Sequence, residues 1–202
     1  MSIANRTLTQ LRALRLTTMA EAYENQLQQP KLHEFGFDER LAMLVDQEQN
    51  ERESRKLKRL IRDAALPDRA SLEDIEFRPH RGLEKQIVAN LSSCEWIKRQ
   101  LNVIILGATG VGKTWLASAF GNQACRLRLP VMFYRASDLY EAISTSALDG
   151  SLAKLKVSLE RPSLLIIDDF GLGNLTSPIS QVLLDVIDHR VRTGSLLITS
   201  QY

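Results

Sequence analysis

Apolar residues in the first third of the chain recur every three or four positions. This spacing places them on one face of a helix, so the pattern predicts helices from about residue 7 to about residue 65. Thr7 and Gln10 fit a capping box at the start of the first helix, and Pro30 and Gly36 interrupt the helical pattern. We therefore predict a helical N-terminal domain over residues 1–66, followed by a linker over residues 67–81. The repeating apolar positions are Leu8, Leu11, Met19, Leu41, Leu44, Val45, Leu57, Leu60 and Ile61.

Beyond residue 82 the pattern changes to short apolar runs that alternate with helical stretches. Strands are predicted at 102–106, 130–134, 163–168 and 196–200. Helices are predicted at 113–127, at 137–160 with a break near Gly150, and at 177–194. Ser177 and Pro178 mark the start of the last helix as N-cap and first helical residue, and Gly194 marks its end. Because such alternation indicates a parallel sheet covered on both faces, region 82–202 is predicted to be an α/β domain.

The composition fits a chain that buries a core and lacks a segment for crossing a membrane. Of its 202 residues, 44% are hydrophobic and 25% are charged, which is ordinary for a globular protein. No apolar run approaches the roughly 18 residues of a membrane span, and the basic N-terminus lacks the apolar stretch of a signal peptide. Cys94 and Cys125 match no metal-binding pattern. We expect a cytoplasmic protein without a structural metal and without a membrane partner.

One eight-residue segment carries the strongest chemical signal in the chain. It lies between a predicted strand and a predicted helix and fits G-x-x-x-x-G-K-[ST], the P-loop motif that cradles nucleotide phosphates. Its glycines let successive backbone N–H groups turn inward, and the following helix adds the positive end of its dipole. Lys113 is predicted to reach the β and γ phosphates, and Thr114 to bind Mg²⁺. The predicted ATP-binding residues are Gly107, Ala108, Thr109, Gly110, Val111, Gly112, Lys113 and Thr114.

Polar residues also follow two of the other predicted strands. Asp168 and Asp169 come after four apolar residues, at the strand end where an open α/β sheet binds ligands. Asp168 is predicted to hold Mg²⁺, and Asp169 to orient or deprotonate the attacking water. Thr199, Ser200 and Gln201 end the fourth strand, where a polar side chain either faces the γ phosphate or only reflects the polarity of a turn.

The segments GATGVGKT, LLIIDDFG and LLITSQY together resemble the AAA+ ATPases related to the bacterial DnaC helicase loader. The similarity is greatest to the IstB-like family, the helper ATPases of IS21-type insertion sequences. It extends to residues 14–16, 19–22, 72–75, 81–83 and 93–97, and so covers essentially the whole chain. The resemblance implies an AAA+ P-loop sheet with flanking helices, which uses ATP and Mg²⁺. It also implies a homo-oligomeric ATPase that presents double-stranded target DNA to its cognate transposase.

The resemblance also implies roles for individual residues. Gln201 occupies the sensor-1 position, which family members use to read the γ phosphate. With Lys113, Asp168 and Asp169 it completes the predicted catalytic set. Many AAA+ proteins have glutamate at the position of Asp169, whose side chain is one methylene shorter.

Family members continue beyond the fourth strand with an arginine finger, a further strand, a sensor-2 arginine and a helical lid. This sequence ends at Tyr202, so the C-terminal part of the AAA+ module is expected to be missing. The missing strand would leave residues 102–106 as an exposed sheet edge. Arg190 and Arg192 are interpreted as solvated charges at the end of a helix, and neither is assigned as the finger.

Five basic residues in the helical domain are the predicted DNA contact. The net charge of +2 does not by itself indicate nucleic acid, but these residues recur at spacings that place them on one helical face. Such a face either binds phosphates, with an affinity that falls steeply with salt, or is a solvated face partly neutralised by neighbouring acids. The candidates are Arg52, Arg55, Lys56, Arg59 and Arg62.

Two other functions fit the same motifs. A helicase loader in replication uses the same nucleotide site and differs in its partner, whereas a non-hydrolysing interaction protein would bind nucleotide or transposase without turnover. A GTPase is disfavoured because the sequence has no NKxD motif. A small-molecule kinase is disfavoured because the paired acids end a later strand and no arginine-rich lid is present.

Overall fold

The computed structural model describes residues 2–77, 82–172 and 175–201, and the chain forms two compact units, residues 1–58 and 59–202. The helices are α1 Ile3–Ala13, α2 Thr17–Gln28, α3 Phe37–Ala64, α4 Lys85–Ser92, α5 Glu95–Lys98, α6 Lys113–Arg126, α7 Ala136–Asp149, α8 Leu152–Glu160 and α9 Ser177–Thr193. The strands are β1 Val103–Leu106, β2 Val131–Arg135, β3 Leu164–Phe170 and β4 Ser195–Ser200. None of the helices in these described ranges combines the length and the apolar character that a membrane crossing needs.

The division between the units falls inside α3, whereas the predicted linker begins at residue 67. The part of that linker that is described is tied to the second unit. Asn122 donates to the carbonyl oxygen of Ala70 at 2.8 Å, and Arg126 pairs with Glu73 at 2.7 Å. Residues 78–81 lie outside the described residues. They include Arg81 of segment 81–83, one of the segments that resemble the IstB-like family.

The start of α1 differs from the prediction. Ser2 caps the helix, because its hydroxyl oxygen accepts a hydrogen bond from the Asn5 N–H at 3.3 Å. Thr7 lies inside the helix, where its hydroxyl donates to the carbonyl oxygen of Ile3 at 3.1 Å. The predicted capping box at Thr7 and Gln10 is therefore wrong, since Ser2 supplies the cap more than one turn earlier.

Helix α3 buries only part of its predicted apolar face. Leu44 is buried, but Leu41 and Val45 are 39% and 47% exposed. Glu48, one turn beyond Leu44, is also buried, and its carboxylate accepts a hydrogen bond from the Met19 N–H of α2 at 2.9 Å. A charge–amide contact therefore takes the place of part of the apolar contact that the spacing predicts.

A parallel sheet with strand order β1-β4-β3-β2 forms the centre of the described part of the second unit. Its strands agree with the predicted ones within two residues, and the predicted α/β fold is confirmed. The first four residues of β3 are at most 1% exposed, because neighbouring strands and helices cover both faces. One face packs against α7 and α9 through an apolar cluster that includes Leu139, Ile143, Leu183 and Leu196.

The predicted helices around this sheet are also confirmed, with a one-residue shift at one cap. The stretch 137–160 breaks at Gly150 into α7 and α8, as its sequence predicts. The N-cap of α9 is Thr176 rather than Ser177, because the extended backbone ends at Thr176 and its carbonyl oxygen already accepts the Ser180 N–H at 2.9 Å. Pro178 lies in the first turn and Gly194 follows the last.

Strand β1 forms one edge of the described sheet, as predicted for residues 102–106. It pairs with β4 through residues 103–106. Ile104 and Leu106 are 64% and 63% exposed. Because alternate residues of a strand point to the same face, these two side chains form a short apolar strip beside an open strand edge.

The interpretation of Arg190 as a solvated charge is wrong. Arg190 is fully buried, and burial lowers its pKa to about 10. Its guanidinium group donates to five backbone carbonyl oxygens, which lie at the end of α8, in the segment between α8 and β3, and at the start of β4. The acceptors are Leu159 at 2.8 Å, Glu160 at 3.3 Å, Pro162 at 3.0 Å, Ser163 at 3.3 Å and Ser195 at 2.6 Å. Arg192 is exposed and pairs with Asp188 at 3.0 Å, in agreement with the prediction for that residue.

Candidate functional site

The segment with the P-loop motif connects β1 to α6 at the carboxyl edge of the sheet. Gly110 and Gly112 have φ angles of 80° and 96°, a left-handed conformation that other residues rarely adopt. A Cβ atom at Gly107 would lie 3.2 Å from the Val111 side chain. The Gly107 N–H donates to the carbonyl oxygen of Ser200 at 3.2 Å, which ties the start of the loop to the end of β4. The backbone path of this loop thus favours glycine at Gly110 and Gly112, and a side chain at Gly107 would crowd Val111.

Lys113 is the first residue of α6 and is 7% exposed. Its ammonium group donates to the carbonyl oxygen of Ala108 at 3.0 Å, so the side chain folds back over the loop. Residues 108–112 are exposed. The lysine and the free N–H groups at the start of the helix give this end of α6 a positive potential.

Asp168 joins three elements of the structure. It is 1% exposed, and its Oδ2 accepts the Thr114 hydroxyl of α6 at 2.7 Å. Its Oδ1 accepts the Thr199 hydroxyl of β4 at 2.5 Å. The structure therefore brings together the two predicted Mg²⁺ ligands, Thr114 and Asp168, which are 54 residues apart in the sequence.

Asp169 interrupts the regular geometry of β3. Its φ is 55°, and the pairing of β3 with β4 changes register between Ile167 and Phe170. The Asp169 N–H donates to the Thr199 hydroxyl oxygen at 2.9 Å. A left-handed residue other than glycine costs about 1 kcal/mol, and such residues cluster at functional sites. The second acid of the pair is thus presented from an unusual backbone conformation.

Gln201 directly follows β4 and is half-buried. Because Ser200 is bonded to Gly107, Gln201 lies beside the start of the P-loop segment. The structure therefore places all four predicted catalytic residues at the carboxyl ends of β1, β3 and β4. This edge is where an open α/β sheet binds ligands. The four residues are Lys113, Asp168, Asp169 and Gln201.

The donor set of this site fits a magnesium–triphosphate. Gly110 and Gly112 supply the left-handed turns of an anion-binding loop, and Lys113 stands at the start of α6. Thr114 and Asp168 supply a hydroxyl and a carboxylate oxygen 2.7 Å apart, and Mg²⁺ prefers such hard oxygen ligands. The site thus has separate groups for the anion and for the cation.

Two of the predicted DNA-binding residues are used inside the helical unit. Arg52 pairs with Glu48 at 2.7 Å and donates to the Arg15 carbonyl oxygen at 3.3 Å. Arg55 pairs with Glu51 at 3.0 Å, and it donates to the Thr18 hydroxyl at 2.8 Å. Arg52 therefore ties α3 to the connection between α1 and α2, and Arg55 ties it to the start of α2.

The other three candidates are also on α3 but differ in their surroundings. Arg62 contacts the carboxylate of its neighbour Asp63 at 2.8 Å. Lys56 and Arg59 are exposed and form no ion pair with another described residue. The two are one turn apart along the helix. The five candidates are therefore not equivalent, and Lys56 and Arg59 are the ones most available to a phosphate.

The sequence pattern did not assign a contact to Thr199. The prediction for residues 199–201 left open whether any polar side chain there faces the nucleotide, and only Gln201 received a role. The structure shows Thr199 completely buried between the two acids of β3. A hydroxyl at the end of the apolar run LLIT was the available signal, because a buried hydroxyl needs a hydrogen-bond partner.

Comparison with known protein families gives a match over nearly the whole chain. The model of the family described as IstB-like ATP binding protein matches residues 9–202. A protein of insertion sequence IS1162 from Pseudomonas fluorescens, named for ATP binding, is 41% identical over 196 residues. That alignment covers 96% of this chain and 85% of the relative.

Solved structures are similar in fold to about two thirds of this chain. DnaA of Aquifex aeolicus bound to AMPPCP has a TM-score of 0.61 at 19% identity, covering 68% of this chain and 43% of that one. The DnaC helicase loader has a TM-score of 0.56 at 19% identity, covering 66% of this chain and 77% of that one. At these identities the likeness shows the fold alone, and it confirms the predicted AAA+ P-loop architecture.

Proposed function

The chain belongs to the family of IstB-like ATP binding proteins, and we propose that it is the ATP-dependent helper of an insertion sequence. In this proposal residues 82–202 bind ATP with Mg²⁺ and hydrolyse it, and residues 1–66 contact DNA or the transposase. The contact between Thr114 and Asp168, 2.7 Å apart and 54 residues distant in sequence, carries the nucleotide part. Together they form a hard-oxygen pair next to a glycine-rich anion loop, as a magnesium–nucleotide requires.

Nucleotide binding is assigned to residues 107–114. The backbone N–H groups of the loop and the start of α6 hold the phosphates, and Lys113 moves from Ala108 to the β and γ phosphates. Thr114 and Asp168 hold Mg²⁺, which neutralises charge on the phosphates when it is bound. The position of Lys113 and Thr114 as the first two residues of α6, directly after the loop, supports these roles.

Hydrolysis is assigned to Asp169 and Gln201. Asp169 orients the attacking water and accepts its proton on a carboxylate oxygen, while Gln201 donates to the γ phosphate from the end of β4. The left-handed turn at Asp169 supports this assignment, because residues in such strained conformations cluster at functional sites.

Replacing Asp169 with asparagine is expected to lower kcat for ATP hydrolysis by at least about 100-fold, because the amide accepts no proton at neutral pH. ATP affinity should stay within about twofold, since the P-loop and Asp168 are unchanged. The measurements are phosphate release and titration with a fluorescent ATP analogue. Asp46→Asn, at an exposed position of α3, is the matched control and should hydrolyse ATP like the wild type. Normal turnover of the Asp169→Asn protein would remove this residue from the mechanism.

Family membership favours transposition over helicase loading. The relative at 41% identity is named for an insertion sequence, whereas the likeness to the DnaC loader is one of fold at 19% identity. We propose that the chain forms a homo-oligomer and presents double-stranded DNA to its cognate transposase. Co-purification with the transposase, and not with the replicative helicase, is the expected result. Binding to the helicase alone would favour the loader.

The DNA contact is assigned first to Lys56 and Arg59. Both are exposed, and neither forms an ion pair with another described residue. A phosphate can therefore approach them without breaking an existing ion pair. Arg52 and Arg55 would have to leave their partners on α2 and α3 to do the same.

The double substitution Lys56→Ala and Arg59→Ala is expected to weaken binding to double-stranded DNA. The slope of log K against log salt concentration should also become less steep by about 2, because two phosphate contacts are lost. Fluorescence anisotropy at several salt concentrations measures both quantities. Lys85→Ala with Arg99→Ala removes the same two residue types at exposed positions on α4 and just after α5, and it is the matched control. Equal salt slopes for the two double variants would contradict the assignment.

A further inference from the structure

One hydroxyl group on β4 contacts both acids of the candidate site. Thr199 is fully buried, and its Oγ1 lies 2.5 Å from Asp168 Oδ1 and 2.9 Å from the Asp169 nitrogen. The Asp169 amide can only donate, so the hydroxyl accepts from it and donates its own hydrogen to Asp168. The direction of both hydrogen bonds is therefore set by the chemistry of the groups.

The two hydrogen bonds constrain different parts of the site. Asp168 is held at Oδ1 by Thr199 and at Oδ2 by Thr114, so its carboxylate is fixed from two sides. The bond to the Asp169 amide stabilises the left-handed turn at which β3 loses register with β4. Loss of the hydroxyl would free the Asp168 carboxylate to rotate, and would also leave the Asp169 N–H without this partner.

We propose that Thr199 is a positioning residue for ATP hydrolysis. It turns Oδ2 of Asp168 toward Thr114, where the cation is held, and it fixes the backbone from which Asp169 reaches the attacking water. The inference rests on the proposed ATPase function and adds to that function a residue that acts through the two acids. Removing a group that is hydrogen-bonded to a metal ligand typically lowers metal affinity or activity by about 10–100-fold.

The contacts of Thr199 require a hydroxyl and not only a side chain of this size. Valine has nearly the same shape and would fill the same buried space on β4, but it can neither donate to Asp168 nor accept from Asp169. Serine keeps both hydrogen bonds and loses one methyl group. The pair of variants therefore separates positioning from packing.

The experiment compares Thr199→Val and Thr199→Ser in the full chain. Thr199→Val is expected to lower kcat about 10–100-fold and to raise the Mg²⁺ concentration for half-maximal hydrolysis by a similar factor. It should also reduce the effect of Mg²⁺ on the affinity for a fluorescent ATP analogue, while affinity without Mg²⁺ is unchanged. Thr199→Ser is expected to restore all three quantities to within about threefold of the wild type.

Ser195→Ala is the matched control, because Ser195 is an equally buried hydroxyl at the opposite end of β4. Its hydroxyl contacts the carbonyl oxygens of Trp96 and Ile97, each at 3.4 Å, away from the acids. Its Mg²⁺ dependence should match that of the wild type. If the valine variant fails to fold, Thr199→Ala takes its place in the comparison.

Three results separate the possible failures. If Thr199→Val keeps the wild-type Mg²⁺ dependence, or if Thr199→Ser is impaired as much as Thr199→Val, the positioning role is wrong and the ATPase proposal stands. If the wild type binds nucleotide without turnover, the test is the effect of Mg²⁺ on nucleotide affinity. A smaller effect in Thr199→Val than in the wild type supports the positioning of Asp168, and an equal effect contradicts it. If the wild type neither binds nor hydrolyses ATP, the proposed function fails and this inference fails with it.

Discussion

Replacing Lys113 with alanine is expected to raise the dissociation constant for ATP by about 100-fold or more. The ammonium group is the one side-chain cation that the P-loop segment itself carries, and it is held within that loop by Ala108. Charge-assisted hydrogen bonds to phosphate contribute about 1.5–3 kcal/mol each, and 1.4 kcal/mol corresponds to a factor of ten in affinity. Loss of the bonds to two phosphates therefore accounts for an effect of this size.

The measurement is titration of the Lys113→Ala protein with a fluorescent ATP analogue, together with DNA binding with and without ATP. Both nucleotide affinity and nucleotide-dependent DNA association should be lost. Lys98→Ala removes an exposed lysine that pairs with Glu95 on α5, and it controls for the change in net charge. If the Lys113→Ala protein retains wild-type behaviour in both assays, the nucleotide does not bind at this loop, and the proposed function fails.

Replacing Arg190 with methionine is expected to lower the free energy of unfolding by about 3–5 kcal/mol, because more than one buried carbonyl group loses its donor at about 1–3 kcal/mol each. This is a large share of the roughly 5–15 kcal/mol typical of a domain. Methionine fills part of the volume but donates no hydrogen bond. Five carbonyl oxygens, among them those of Leu159, Pro162 and Ser195, would lose their guanidinium donor in a buried site. The Ser163 oxygen keeps the Ser195 N–H as a donor at 2.9 Å. A buried carbonyl group that is left without any donor is a main cause of large mutational effects.

Urea unfolding measures this change, followed by tryptophan fluorescence. Both tryptophans of the chain, Trp96 and Trp115, belong to the second unit and report on it. Arg192→Met is the matched control on the same helix, since Arg192 is exposed and pairs only with Asp188 among the described residues. It should change stability by less than about 0.5 kcal/mol. Equal stabilities of the two variants would show that the carbonyl groups find other donors.

Contacts between distant residues account for most of the differences from the sequence-based expectations. The spacing of arginines on α3 predicts one basic face, but Arg52 and Arg55 donate to the Arg15 carbonyl oxygen and the Thr18 hydroxyl, 37 residues away in the sequence. The position of Arg190 near a helix end predicts a solvated charge, but its buried guanidinium group donates to carbonyl oxygens at the end of α8 and in the segment before β3. In each case the partner lies outside the helical turn on which the prediction was based.

The sequence by itself determined the secondary structure of the α/β region, the P-loop segment and the acids at the end of β3. These features depend on local causes, because strand and helix periodicity and the φ preference of glycine act within a few residues. Only the tertiary structure decided that Thr114, Asp168 and Thr199 meet, since they lie on three separate elements. Strand order and register determine which residues form hydrogen bonds across a sheet, and the spacing of residues along the chain predicts neither of them.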